Sequence, residues 1–425
     1  MLKSSAFAFA FAFSVFLSCM AHAQPYEEGY EKRAQDVIHN LIVNNGLAQE
    51  QWPDYQPSLW PLISTEGLYE KRSDETGVHW SQGPVRRLTH LVIRGGLKGA
   101  VDLSGLTRLE VLFLSEGDET CGKEPDGDCK TSLDIQGNTA LKTISLYRTD
   151  QPRLDTRGLE LLESLELAYN GRLADLDLTT NRKLAKLMIF NSPVASLNLS
   201  HNADLGTIYL TGLPIKNLKV DRNIALQEIN IADSPLASLD LSRNTALAEL
   251  TLWETEVTTL DLRCNNELHA IEVLGAPLSH LTLSDQIDRK MLFSQISDTR
   301  LPLSCLAQMT GPKTYNGVQR NVFFEQKTFP AGEEAVLDLS SEAVIDGAAS
   351  HFTLVEEFEY NDSFHVSDLV LATPKSYSVN KGLVSIKTPG RYHVLMTSPK
   401  ILNYYHDHKT TEIPVLTGLI VVEKP

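Results

Sequence analysis

The stretch Leu236-Ala-Ser-Leu239-Asp-Leu241-Ser-Arg-Asn244-Thr-Ala-Leu247-Ala-Glu-Leu250-Thr-Leu252 decides the fold of this chain. It contains two segments of the form LxxLxL, Leu236–Leu241 and Leu247–Leu252, and the first continues to Asn244. The last two leucines of each segment stand two apart, the period of a strand that buries one face and exposes the other. Such a unit reads as two short parallel strands joined by tight turns, with the leucines pointing inward.

Working outward, Leu239-Asp-Leu241 or a close variant starts at Leu133, Leu154, Leu176, Leu197, Leu218, Leu239, Leu260 and Leu281, so the period is 21 residues with a single step of 22. A fixed period in this range means a solenoid, in which each coil stacks on its neighbours and the stack buries one core. Solenoids mostly present a long surface to another molecule. Asn138, Asn181, Asn202, Asn223, Asn244 and Asn265 recur at one turn, where a side-chain amide can satisfy backbone groups that a bend leaves unpaired. Pro193, Pro214, Pro235 and Pro277 fix turns where no ladder N–H is needed. The coil at Leu154 has Leu159 in the asparagine position and carries the extra residue, a local irregularity.

LxxLxLxxN is the defining segment of the leucine-rich repeat family, and from about Leu88 to Leu283 the chain resembles the internalin-like repeat proteins of bacterial surfaces. The resemblance implies a mainly β leucine-rich repeat solenoid of parallel β coils. It says little about the ligand, because one framework serves many partners.

The flanks read differently. Lys3, the apolar run Ala6–Leu17 and Ala21-His-Ala23 have the form of a signal peptide over 1–23, so the chain is expected to be exported by the Sec route and secreted, periplasmic or on the cell surface. Diacylation at Cys19 is the alternative fate. Residues 24–84 are expected to form an N-terminal helical cap, with an amphipathic helix from Tyr30 to Val43 built on Ala34, Val37, Ile38, Leu41 and Ile42, and with Trp52, Trp60 and Trp80 covering the first coil. The solenoid spans 85–283 and its C-terminal cap 284–318. Residues 319–425 carry short alternating runs such as Ala335-Val-Leu-Asp-Leu and Tyr392-His-Val-Leu-Met between turn signals, which suggests an Ig-like β-sandwich, without the Cys…Trp…Cys pattern of antibody domains.

Composition narrows the function. A formal charge of −16 argues against nucleic acid and anionic membrane surfaces, and no internal apolar run is long enough to span a bilayer. Export permits disulfides: Cys121 and Cys129 bracket a short acidic insertion and are expected to pair, and Cys264 and Cys305 form a weaker candidate pair. Hydrolase, nucleotide-binding and redox signatures are lacking, and His406-Asp-His408 is too small a ligand set for a metal site, so neither catalysis, cofactor nor metal is expected.

Residues between the leucines point outward and form columns along the stack. One column is acidic: Asp102, Asp134, Asp155, Asp177, Asn198, Lys219, Asp240, Asp261, Thr282. It reads as a solvated face that discourages edge aggregation, with a salt-sensitive site as the rival reading. On the second strands, Tyr147, Met188, Phe190, Tyr209 and Trp253 stand at outward positions, and exposed aromatics with Met are enriched at interfaces. The expected activity is therefore recognition of a protein or glycan partner by a monomeric, non-enzymatic protein of the adhesin type. The alternative is a structural or assembly component of the envelope with the repeats as spacer.

Overall fold

A computed structural model of the chain describes residues 26–45, 56, 77–94, 97, 99–115, 132–149, 151–284, 293–297, 299–302, 326–345, 347–357, 369–399, 402–404, 410–412, 415–417 and 419–424. The expected signal peptide with Cys19, Trp52, Trp60, Cys121, Cys129, Cys305, His406 and His408 lie outside these residues. The chain divides after Leu173 into two compact units.

The first unit opens on helix α1 (Lys32–Asn45), which buries Ala34, Val37, Ile38 and Leu41. That i, i+3, i+4, i+7 spacing gives the helix one apolar stripe. Arg33 ties the helix to the first coil: its Nε donates to the Ser104 carbonyl at 2.8 Å and its Nη2 to Asp102 Oδ1 at 2.9 Å. The region read as a helical cap also contributes a strand. β1 (Gly77–Trp80) pairs antiparallel with β2 (Leu88–Arg94), and the buried Trp80 ring meets Tyr30 edge-on at 5.0 Å. Val78 and Trp80 are two apart and both buried, so this short segment follows the strand period.

Along the unit run β3 (Ala100–Asp102), β4 (Val111–Ser115), β5 (Ser132–Asp134), β6 (Thr143–Tyr147), β7 (Arg153–Leu154) and β8 (Ser164–Ala168). The main sheet has the order β1-β2-β4-β6-β8, parallel from β2 onward, and β3 pairs parallel with β5. The inward positions align in register as Leu91, Leu112, Ile144 and Leu165, each fully buried.

The second unit continues the pattern with β9 (Asp175–Leu176), β10 (Lys186–Phe190), β11 (Thr207–Thr211), β12 (Glu228–Ser234), β13 (Glu249–Thr255), β14 (Thr259–Leu262), β15 (Ala270–Leu274), β16 (His280–Leu283) and β17 (Phe293–Ser297). Its sheet runs β10-β11-β12-β13-β15-β17, all parallel, with Leu187, Ile208, Ile229, Leu250 and Ile271 in one buried row. No α-helix occurs among the described coil residues of either unit.

The expectation of two strands per coil needs correction on one side. β14 and β16 pair, but residues 194–200, 215–221 and 236–242 make only an isolated bridge between Asn217 and Ser238. Proline does not separate the two cases: Pro277 enters β16, and Pro193, Pro214 and Pro235 enter the unpaired stretches. Side chains take up part of the backbone demand there. Asn198 Oδ1 accepts from Ser200 N at 3.2 Å and Asp240 Oδ1 from Ser242 N at 2.9 Å.

The turn asparagines do the structural work expected of them. Asn138, Asn202, Asn223, Asn244 and Asn265 are fully buried. Asn223 Nδ2 donates to the Leu199 carbonyl at 3.0 Å and to the Asn202 carbonyl at 2.7 Å, and Asn244 repeats this with Val220 and Asn223. Each amide thus bonds the coil before it, building a ladder inside the stack. A second periodic device is backbone conformation. Arg148 and Tyr169 in the first unit, and Asn191, Gly212, Asp233, Glu254 and Gly275 in the second, all lie at φ between 46° and 68°, at the C-terminal end of the sheet strand of their coils. Each of these coils turns off the sheet through one left-handed residue, a conformation that glycine adopts without steric cost.

Beyond the coils the second unit holds β18 (Gln326–Phe329), β19 (Ala335–Asp338), β20 (Val344–Ile345), β21 (Ala348–Ala349), β22 (His351–Glu356), β23 (Tyr377–Asn380), β24 (Leu383–Ile386), β25 (Gly390–Thr397), β26 (Leu402–Tyr404), β27 (Thr410–Glu412), β28 (Val415–Leu416) and β29 (Leu419–Val422). One sheet has the order β18-β29-β25-β22, with β28 also on β25; a second has the order β19-β24-β23. β18 and β29 are parallel, and the other pairs in these two sheets are antiparallel. Leu337, Leu354, Val384, Val394, Met396 and Ile420 are buried, as alternation along each strand requires.

Candidate functional site

The residues expected from the sequence to contact a partner lie on the outward face of the coil sheet. In the first unit the register sets Val92, Phe113, Ser145 and Glu166 in one row and Arg94, Ser115, Tyr147 and Ala168 in the next. Side chains meet along the diagonal between these rows, a distance that aromatic and long side chains can bridge. The Arg94 guanidinium lies 4.2 Å from the Phe113 ring centroid, and Phe113 stacks on Tyr147 at 5.4 Å with an interplanar angle of 29°. Tyr147 then donates its hydroxyl to the Glu166 carboxylate. Arg94, Phe113, Tyr147 and Glu166 form one continuous ladder, so Tyr147 is half-buried and braced rather than freely displayed. Phe113 and Arg94 escaped the sequence reading because the columns were counted from Ser145. The alternation Leu112-Phe113-Leu114 was the available signal.

In the second unit Met188, Tyr209, Asn230, Thr251 and Glu272 form one row, and Phe190, Thr211, Ala232, Trp253 and Leu274 the next. Met188, Phe190 and Tyr209 are half-buried, and Trp253 is 48% exposed. The expectation that all of them are exposed is corrected accordingly, since neighbouring coils cover the flanks of each ring. Met188, Phe190 and Tyr209 form one group on adjacent strands, while Trp253 stands alone in its row, three strand spacings or about 14 Å from Phe190. Ala232 and Leu274 flank it on either side. Tyr209 donates to the Glu228 carboxylate, and burial together with that bond pushes its pKa up to about 12. Burial also raises the Glu272 carboxyl above its usual range.

The acidic column has a specific structural task. Asp134 accepts from Gln136 N at 2.9 Å, Asp177 from Thr179 N at 3.0 Å, and Asp261 from Arg263 N at 3.1 Å. Each carboxylate closes the turn that follows it, which is the local bond that favours Asp and Asn in turns. Arg157 forks onto Asp155, with Nε at 2.8 Å and Nη2 at 2.5 Å, and holds the Asp155 carboxyl down at about 2. The side-chain bond from Arg263 lowers Asp261 in the same way. These groups are engaged in turn geometry, which weakens their claim as a rival binding surface.

Cys264 is exposed and has no disulfide partner among the described residues, and its candidate partner Cys305 lies outside them. Among the described residues no three His, Cys, Asp or Glu side chains come together to hold a metal ion. No helix among them is long and apolar enough to cross a membrane.

No family model matches the chain, and no curated protein does. Several solved structures align with the chain. The functional domain of InlJ from Listeria monocytogenes is 14% identical over 75% of this chain and 77% of that one, with a TM-score of 0.33. An internalin (inlF) from the same organism is 18% identical over 53% and 79%, at 0.39, and its internalin-like protein lmo2027 is 14% identical over 79% and 87%, at 0.38. The solenoid assignment stands on the coil period and strand register above.

Proposed function

We propose that this protein is an exported, non-enzymatic recognition factor that holds a protein or glycan partner against the outward face of its coil sheet. The observation that carries the reading is the exposed Trp253 indole on a regular sheet face that also presents Met188, Phe190 and Tyr209. A parallel ladder fixes these side chains in position, so little ordering is required when a partner docks, and aromatic side chains dominate interface energies. Residues 319–425 supply a second module, which we read as an Ig-like sandwich on the strength of its two sheets. The expected disulfide between Cys121 and Cys129 would staple the insertion beside the coils; mass mapping of the unreduced protein checks it, and free thiols at both positions exclude it.

The test is retention of surface or envelope partners by the full-length chain compared with a triple variant, Phe190→Ala, Tyr209→Ala and Trp253→Ala. Binding by the wild type and its loss in a folded triple variant is the expected result. Retention unchanged by the triple substitution would move recognition to the C-terminal sheets and favour a structural role with the coils as spacer.

A further inference from the structure

The outward face of the second unit is acidic as well as aromatic. Across β10 to β15 its outward rows and the left-handed residues at their C-terminal ends carry the carboxylates Glu228, Asp233, Glu249, Glu254 and Glu272 against the single ammonium of Lys186. None of these five carboxylates has a cation within ion-pair distance among the described residues. The first unit's face differs: Arg94 covers Phe113, Lys142 pairs with Glu110 at 2.8 Å, and Arg148 lies over Tyr169. The negative field is therefore local to one face and is not just a share of the overall charge.

Trp253 sits inside this field. Glu254 follows it at the left-handed turn, Glu249 lies on the same strand and face, and Glu272 is its diagonal neighbour on β15. An exposed indole with carboxylates at the next position in the chain and at the diagonal position on the next strand attracts a guanidinium or ammonium group, by the ring quadrupole and by direct charge. Burial already disfavours the charged form of Glu272, so a cation placed beside it gains more than it would at a fully wetted site.

We infer that the second unit's face takes an extended, arginine- or lysine-bearing segment of a partner protein, with one basic side chain seated on Trp253 between Glu254 and Glu272. This deepens the recognition reading above and rests on it. The five strands span about 19 Å, so roughly six extended residues cross the face.

The experiment uses the full-length chain and a fluorescein-labelled peptide of roughly ten residues alternating arginine and serine, with a glutamate–serine peptide as control. Fluorescence anisotropy at low salt is expected to show binding of the basic peptide alone, weakening as salt shortens the screening length. Trp253→Ala should weaken it by about tenfold or more, and so should the combined Glu249→Gln, Glu254→Gln and Glu272→Gln variant. Asp240→Asn with Asp261→Asn, on the other side of the coils, should leave it unchanged. No binding of the basic peptide up to about 1 mM overturns the inference. Loss with Trp253→Ala but not with the glutamine variant overturns the charge argument while leaving the aromatic face as the recognition site. Equal effects of all the variants, or of none, would reduce the attraction to overall acidity and take the recognition reading at this face down with it.

Discussion

At the residue scale, three side-chain types hold the coils in shape, and each gives a measurable consequence. Asn223 bonds two backbone carbonyls from full burial, and each carbonyl keeps a backbone donor from Asn202 or Leu205, so Asn223→Ala removes two bonds without orphaning an acceptor and should cost about 1–2 kcal/mol, read from chemical denaturation. A loss near zero would show that the amide ladder is incidental. Gly275 lies at φ 67°, so Gly275→Ala forces a side chain into the left-handed region, at a cost of about 1 kcal/mol. The Cβ would also push aside the Glu254 carboxylate, a flexible group that can swing away. The turn aspartates add a pH dependence. Asp155 is held at about 2, and Asp240 and Asp261 are also lowered, Asp240 first by the Ser242 backbone N–H. Unfolded aspartate titrates near about 3.9. A depressed folded value means these groups stabilise the fold fully above that pH and lose their contribution as pH falls toward 2. Melting midpoints should therefore drop between about pH 4 and pH 2, less steeply in Asp155→Asn than in the wild type. Equal slopes would remove the Arg157 bond from the account.

At the element scale, the strand positions were legible because period two and period 21 coincide. Leu241 and Leu252 occupy equivalent places in the two halves of one coil and are both buried, so replacing either by Ala should cost about 2–5 kcal/mol. Denaturation losses below about 1 kcal/mol would mean that these leucines are not core. Helix α1 was legible from Ala34, Val37, Ile38 and Leu41, whereas β1 was not, because four residues are too few to display a period. The missing strands on the second side of several coils were hidden for another reason. Leu239-Asp-Leu241 has the same spacing as the paired Leu260-Asp-Leu262, and Asp240 and Asp261 lock the same turn, so nothing in the tripeptide separates the two cases. The acidic column was visible as a column, yet its role as a set of turn locks depends on bonds two residues away that charge counting does not reveal. Diagonal contacts were the least legible. The Tyr147–Glu166 and Tyr209–Glu228 bonds both span 19 residues, one coil less two, which only the parallel register explains.

At the scale of the whole molecule, the central claim is that the outward sheet face of the second unit is the recognition surface. The coil framework supports this by fixing Met188, Phe190, Tyr209 and Trp253 on one ladder, and the local charge defines the partner chemistry. The most direct measurement is hydrogen–deuterium exchange of the full-length chain with and without a bound partner. Protection concentrated in 186–190, 207–211, 228–232 and 249–253, with the turn column at 240 and 261 unchanged, is the predicted result. Protection confined to 326–424, or spread along the acidic turns instead of the sheet face, would contradict it.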